Sequence, residues 1–313
     1  MKKLDFHVHF QNHNLTAKDS ADYFTEMCKR YGYEGVGIMA IYHRPGKSGG
    51  ADAQCNQKAL QIKALMKNSY AFASPLPNED FAVQAKKFME QGFDGIKLIR
   101  GGKPNVQKMF GHFYDDEVYA EFFDYCQEHQ VPLMIHNNDP LIHWDIANAP
   151  QRAIDNGWVY DESFPSQEEY FRHLEAVLER YPRLNAAIAH LGFYSDNLDR
   201  AISLLERYPN LKFDITPAII IYEQLSKTPQ KTEEFFRRYH ERLIFGTDAD
   251  SDFTHDGERG LYTKRKNAIT SAFFSGTEPR EVGQVWIHPI HLEPQMLENI
   301  YYNNAIRWMK QKC

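Results

Sequence analysis

Eight short apolar or alternating runs recur along the 313-residue chain, at residues 4–10, 35–42, 71–76, 95–99, 131–137, 185–191, 211–216 and 243–247. Segments with the 3.6-residue spacing of amphipathic helices lie between them, at 20–30, 53–67, 81–90, 117–129, 168–180, 198–207 and 232–241. Strand-to-strand starts are 31, 36, 24, 36, 54, 26 and 32 residues apart. Repeated spacing near one βα unit leaves little room for a fold other than parallel strands joined by crossover helices. Eight units predict an α/β fold, a (β/α)8 TIM barrel occupying residues 1–313 as one domain.

Punctuation along the chain agrees with this reading. Ser166 and Glu169 have capping-box spacing, and Pro182 and Pro209 follow two helices just ahead of the next strands. The 54-residue interval contains an insertion of roughly 28 residues after Asn137, a length usually reserved for functional loops. It is expected to roof the pocket. A polar stretch at 248–255 follows the eighth run, and residues 294–309 read as a closing C-terminal helix with Pro294 at its start.

Composition narrows the function classes. Hydrophobic residues at 42% can bury a large core, while 42 acidic against 36 basic side chains, net −6, give no polyanion-binding face. No nucleic-acid or membrane partner is expected, and the partner is a small molecule. The Met1-Lys2-Lys3 start runs straight into a strand pattern without a signal peptide's apolar region, so a cytoplasmic location is expected. Cys28, Cys55, Cys126 and Cys313 are scattered, which argues against a thiolate metal site. Fourteen histidines are the one excess.

Their placement carries the chemistry. His7 and His9 are two apart on a strand, so both rings point to one side. Alone, such a pair reads equally as a metal clamp or as ordinary polar strand residues. His136 and His190, however, end the fifth and sixth runs, and Asp248 follows the eighth. In a parallel barrel all these positions gather at the C-terminal mouth, where active sites are built.

These residues, with His190-Leu-Gly, Gly246-Thr-Asp248 and Asn304-Ala-Ile-Arg-Trp308, resemble the amidohydrolase superfamily, in its branch of aminocarboxymuconate semialdehyde decarboxylase and related decarboxylases, hydratases and lactonases. The resemblance implies that His7, His9, His136 and Asp248 bind one divalent ion, usually zinc. It assigns His190 to the substrate or the metal-bound water, with His190 and Asp248 as the catalytic pair. Three imidazoles and a carboxylate suit Zn²⁺ and would lower the pKa of bound water to about 7. A metal-dependent hydrolase is expected. A non-oxidative decarboxylase uses the same ligands, and a barrel kept only for binding is the third reading.

Lys97, in the fourth run, is either a carboxylated bridge between two metals or an unmodified contact for a substrate anion. Arg100 is a carboxylate contact or a solvated loop residue. Asn137 and Asp139 are placed to orient His136 or touch substrate, and Trp144 and Trp158 to wall a pocket or pack the insertion. Lys97, Arg100, Asn137 and Trp144 are the candidate substrate contacts, which favours a small carboxylate; Asp139, Asp250 and Asp252 oppose that field. Tyr119, Phe122, Phe123 and Cys126 read as core, and His288 and His291 as surface loop. Association into homo-oligomers is left open.

Overall fold

In the parallel strands apolar residues run almost continuously, because such a sheet is covered on both faces. The strands are β1 (Asp5–His9), β2 (Val36–Met39), β3 (Ser69–Ala73), β4 (Gly95–Leu98), β5 (Leu133–Ile135), β6 (Ala186–Ile188), β7 (Lys212–Asp214), β8 (Leu243–Ile244) and β9 (Ala249–Asp250). All are parallel, in the order β8-β7-β6-β5-β4-β3-β2-β1-β9. This computed structural model describes residues 1–10, 15–41, 54–77, 79–217, 219–251 and 260–310. Asp252 and Cys313 lie outside the described residues, as does most of the polar stretch after Asp248.

The eighth barrel strand is in two pieces, and that is how the ring closes. β8 pairs with β7, whereas β9 pairs with β1 at Val8–Ala249 and His9–Asp250. Between the pieces, Phe6 N donates to Phe245 O (3.1 Å) and Asp248 N to His7 O (2.8 Å). The buried Asp5 carboxylate accepts from Thr247 N (2.8 Å) and Thr247 Oγ1 (2.6 Å), tying the first strand to the last. The result is the α/β TIM barrel expected from the spacing.

The helices are α1 (Ala17–Tyr31), α2 (Gln54–Leu65), α3 (Phe81–Glu90), α4 (Pro104–Phe110), α5 (Ala120–Glu128), α6 (Gln151–Asn156), α7 (Gln167–Arg180), α8 (Leu198–Arg207), α9 (Ile219–Leu225), α10 (Pro229–Tyr239), α11 (Leu261–Ser275), α12 (Pro294–Glu298) and α13 (Asn304–Lys310). The capping box of α7 forms, with Ser166 N donating to Glu169 Oε2 (2.7 Å) and Glu169 N to Ser166 Oγ (3.3 Å). Among the described residues no helix is long and apolar enough to cross a membrane.

Several elements depart from the sequence reading. β3 covers 69–73 rather than 71–76, since Pro75 has no N–H to continue a ladder. The insertion holds a 3₁₀ turn (Leu141–Trp144) and α6, so it is a folded cover rather than a bare loop. The closing helix is interrupted by a π turn over Asn299–Asn303. α4, α9 and a hairpin of β10 (Arg280–Val282) with β11 (Val285–Ile287) were not anticipated.

Two apolar clusters fix where a site can be. One lies between strands and helices and includes Tyr119, Phe122, Phe123 and Cys126. The other joins Leu4, Phe6, Met39, Phe72, Met134 and Ile244 to Trp308 of α13. Trp308 is fully buried and its indole N–H donates to Asn185 O (3.1 Å), so α13 stoppers one end of the barrel. A register shift in β1 between Asp5 and Val8 lets neighbouring Phe6 and His7 serve floor and site respectively.

Candidate metal centre

β1 sets two imidazoles against each other, His7 Nε2 lying 3.0 Å from His9 Nε2. Their other nitrogens are already committed. His9 Nδ1 is 3.0 Å from Met39 O, and a carbonyl can only accept, so His9 Nδ1 carries the proton. His7 Nδ1 lies 2.6 Å from Asp214 Oδ2, which likewise places its proton on Nδ1. Both Nε2 atoms therefore present lone pairs to the same point, an arrangement that a shared cation would relieve. Burial, then the neighbouring Lys97 and His9, hold His7 well below the usual imidazole range, so it stays neutral as a ligand must.

Asp248 meets this pair from the other side of the seam, with Oδ1 at 3.2 Å from His9 Nε2. It adopts φ 55°, the left-handed region. Burial alone would raise its carboxyl, but the Lys266 ammonium beside it pulls it well below the ordinary range. Gly246, two residues earlier, is required by close approach, since a Cβ there would stand 2.6 Å from His7 Cβ.

His190 follows β6 in an unusual turn. His190, Leu191, Gly192 and Phe193 all have positive φ (57°, 51°, 60° and 59°), and all four are buried. The His190 ring centre sits 5.3 Å from that of His7 and 5.1 Å from that of His136. Ligand atoms of His7, His190 and Asp248 lie within 4.8 Å of one another. Burial lowers His190 well below its usual range, and its Nδ1 is buried without a hydrogen-bond partner.

His136 stands beside this group with Nε2 3.6 Å from Asp139 Oδ1, and burial pushes it down to about 4, against the opposing influence of the Asp139 carboxylate. Asp139 is gripped by Lys103 Nζ at 2.7 and 2.6 Å and accepts from the Tyr160 hydroxyl. Lys97, in β4, brings its ammonium to 3.2 Å from His7 Nε2. Burial lowers Lys97 to about 8, with Asp214 and Asp248 opposing.

The remaining anticipated contacts have partners of their own. Arg100 is buried with its guanidinium 4.7 Å from the centre of Phe110. Asn137 donates to Tyr170 O (3.3 Å), and Trp144 donates to Pro165 O (3.0 Å) while packing 4.7 Å from Tyr160. Trp158 takes Lys103 over its ring at 4.7 Å.

The amidohydrolase family model matches residues 5–310. The chain belongs to the amidohydrolase family. No curated protein matches it. Three solved structures similar over nearly the whole length are 4-oxalomesaconate hydratase from Rhodopseudomonas palustris (15% identity, 98% of this chain and 95% of that one, TM-score 0.56), 5-carboxyvanillate decarboxylase from Sphingomonas paucimobilis (12%, 99% and 99%, 0.57) and a dihydroxybenzoic acid decarboxylase from Polaromonas with bound manganese (14%, 99% and 97%, 0.55). At these identities they share the fold.

The sequence reading missed Asp214, Lys266, Lys103 and Tyr160. Asp214 had a signal, a carboxylate inside an apolar run at a strand end. It orients His7, and its other oxygen accepts from Thr216 N (3.0 Å) and the Thr216 hydroxyl. Asp214→Asn is expected to weaken divalent-ion affinity by about 10- to 100-fold, as for other carboxylates behind a metal-binding imidazole. Competition with a chelator measures it, and unchanged affinity would remove Asp214 from this role.

Proposed function

We propose that the protein is a metal-dependent hydrolase of a small carboxylate-bearing substrate. His7, His9, His136 and Asp248 would hold one divalent ion, and the converging lone pairs of His7 and His9 fit that role. When bound, the ion supplies Lewis acidity and makes a water nucleophilic near neutral pH. The carrying observation is His190: neutral, buried, with Nδ1 unpartnered, and one ring away from His7. That nitrogen can take a proton from the attacking water and return it to the leaving group. The Lys97 ammonium, beside the same imidazole, supplies the positive charge that favours an anionic substrate.

Lys97 also favours a second reaction, non-oxidative decarboxylation, as in two of the similar structures, which are decarboxylases. There Lys97 would stabilise charge developing on a conjugated oxygen, and Asp248, after accepting a proton from a water molecule, would pass it to carbon before CO₂ leaves. Paired carboxylated and neutral lactones, amides and unsaturated acids separate the readings. Hydrolysis of the carboxylated members is the expected result. CO₂ release without any hydrolysis would replace the first reading by the second.

His190→Ala is expected to keep the ion and lower kcat by about 10²-fold or more, whereas His136→Ala loses the ion. The 4.8 Å grouping of His7, His190 and Asp248 supports the exchanged assignment, with His190 as ligand. Metal content of the two variants decides between them.

A further inference from the structure

Lys266 lies on α11, with a fully buried side chain, and spends its ammonium on one residue. Nζ is 2.7 Å from Asp248 Oδ2 and 2.7 Å from the Asp248 carbonyl oxygen. Its remaining direction is filled by the Tyr262 ring, whose centre is 4.1 Å away. The Arg152 guanidinium lies 4.1 Å from the same ring centre and 5.9 Å from that of Trp158, on which Lys103 also rests. Cations and rings thus alternate from the loop after β4, through α6 of the insertion, to Asp248.

An aspartate at φ 55° is held there by its surroundings, and the bond to its carbonyl is one such restraint. The bond to Oδ2 has a different effect. It occupies one carboxylate oxygen and leaves Oδ1, 3.2 Å from His9 Nε2, facing the imidazoles.

We infer that Lys266 is a positioning residue that reserves Asp248 Oδ2, so that a divalent ion meets Asp248 through Oδ1 alone, and that Tyr262 of the same helix, backed by Arg152 of the insertion, braces it. The inference rests on Asp248 being a ligand. A carboxylate whose second oxygen is held by an ammonium cannot chelate the ion with both. The nearby positive charge also opposes the ion, so Lys266 tempers affinity rather than creating it.

The test is a Co²⁺ titration of the metal-free full chain, read by visible absorption and by chelator competition. In Lys266→Met the released Oδ2 should bind as well, lowering the visible absorptivity as coordination number rises. The Kd should tighten by about tenfold because a cation beside the ion is gone. Lys266→Gln, which keeps a donor to Oδ2 but no charge, should tighten Kd and retain the parent spectrum. Arg152→Met should move Kd and spectrum in the Lys266→Met direction by a smaller amount, and no change would overturn the bracing role. Weaker binding with an unchanged spectrum in Lys266→Met overturns the inference, as a merely structural lysine would give that result. If Lys266→Met yields no folded protein, an unchanged Kd in Lys266→Gln overturns it. Asp248→Ala separates the two levels: parent-like Co²⁺ binding there defeats the ligand reading itself, whereas loss there with no effect at Lys266 defeats this inference alone.

Discussion

Replacing His7 and His9 together by alanine is expected to abolish divalent-ion binding and turnover while leaving the barrel folded. Two converging Nε2 donors disappear at once, and Asp248 with one further imidazole makes a poor site for a borderline-soft ion. The fold survives because its floor, from Leu4 and Phe6 to Trp308, is untouched and residues at a barrel mouth add little to core packing. Some stability is lost, because buried Asp214 is left without its imidazole, a penalty of about 1–3 kcal/mol. Elemental analysis after gel filtration, beside far-ultraviolet circular dichroism, checks both halves. Full metal occupancy in the double variant would reject the clamp.

What made that pair visible in the sequence was its two-residue spacing, which on any strand puts both rings on one side. His136, His190 and Asp248 were visible for a related reason: each follows an apolar run, and parallel strands send all such ends to one mouth. Lys266 carried no comparable mark. It sits mid-helix, 18 residues beyond Asp248, and only the folding of α11 against the seam brings the two together. The left-handed run from His190 to Phe193 was equally hidden, since only one of its four residues is glycine. Local preference was overruled there by packing around Leu191 and Phe193. The broken eighth strand follows from Gly246, whose missing Cβ lets the chain pass against His7.

Lys103→Met should destabilise the protein by about 3–5 kcal/mol at neutral pH, the usual result of removing one partner of a buried pair. The carboxylate left behind is the hub of the insertion: Asp139 also accepts from Tyr160, its backbone oxygen accepts from Gln167 Nε2 (2.9 Å), and Asn138 N donates to Gly102 O (3.0 Å). The deficit should depend on pH with a definite sign. In the parent, burial would raise Asp139 but Lys103 and His136 pull it below the ordinary carboxylate range. Its contribution is therefore present above about pH 4, the unfolded value, and is lost as pH falls further. Without Lys103 burial prevails, the folded pKa rises above the unfolded one, and the variant loses stability as pH climbs from about 4 toward 7. Denaturant titrations should show a smaller gap at pH 4 than at pH 7, because near pH 4 the variant no longer carries a buried unpaired charge while the parent still keeps most of its ion-pair contribution. An equal gap at both would mean that the ion pair is not what holds the insertion.

The two-piece eighth strand gives the barrel a seam, and the proposed ligands straddle it: His7 and His9 on the first strand, Asp248 on the last. A divalent ion there would act as a clasp between segments some 240 residues apart in sequence. A clasp held by binding has no fixed strength; it adds RT ln(1 + [ion]/Kd) to stability, about 4 kcal/mol at a thousandfold excess over Kd and nothing when the ion is withdrawn. The integrity of the ring would then follow the supply of metal around it, and the same atom that equips the site for chemistry would report, through the melting temperature, how much metal its surroundings contain.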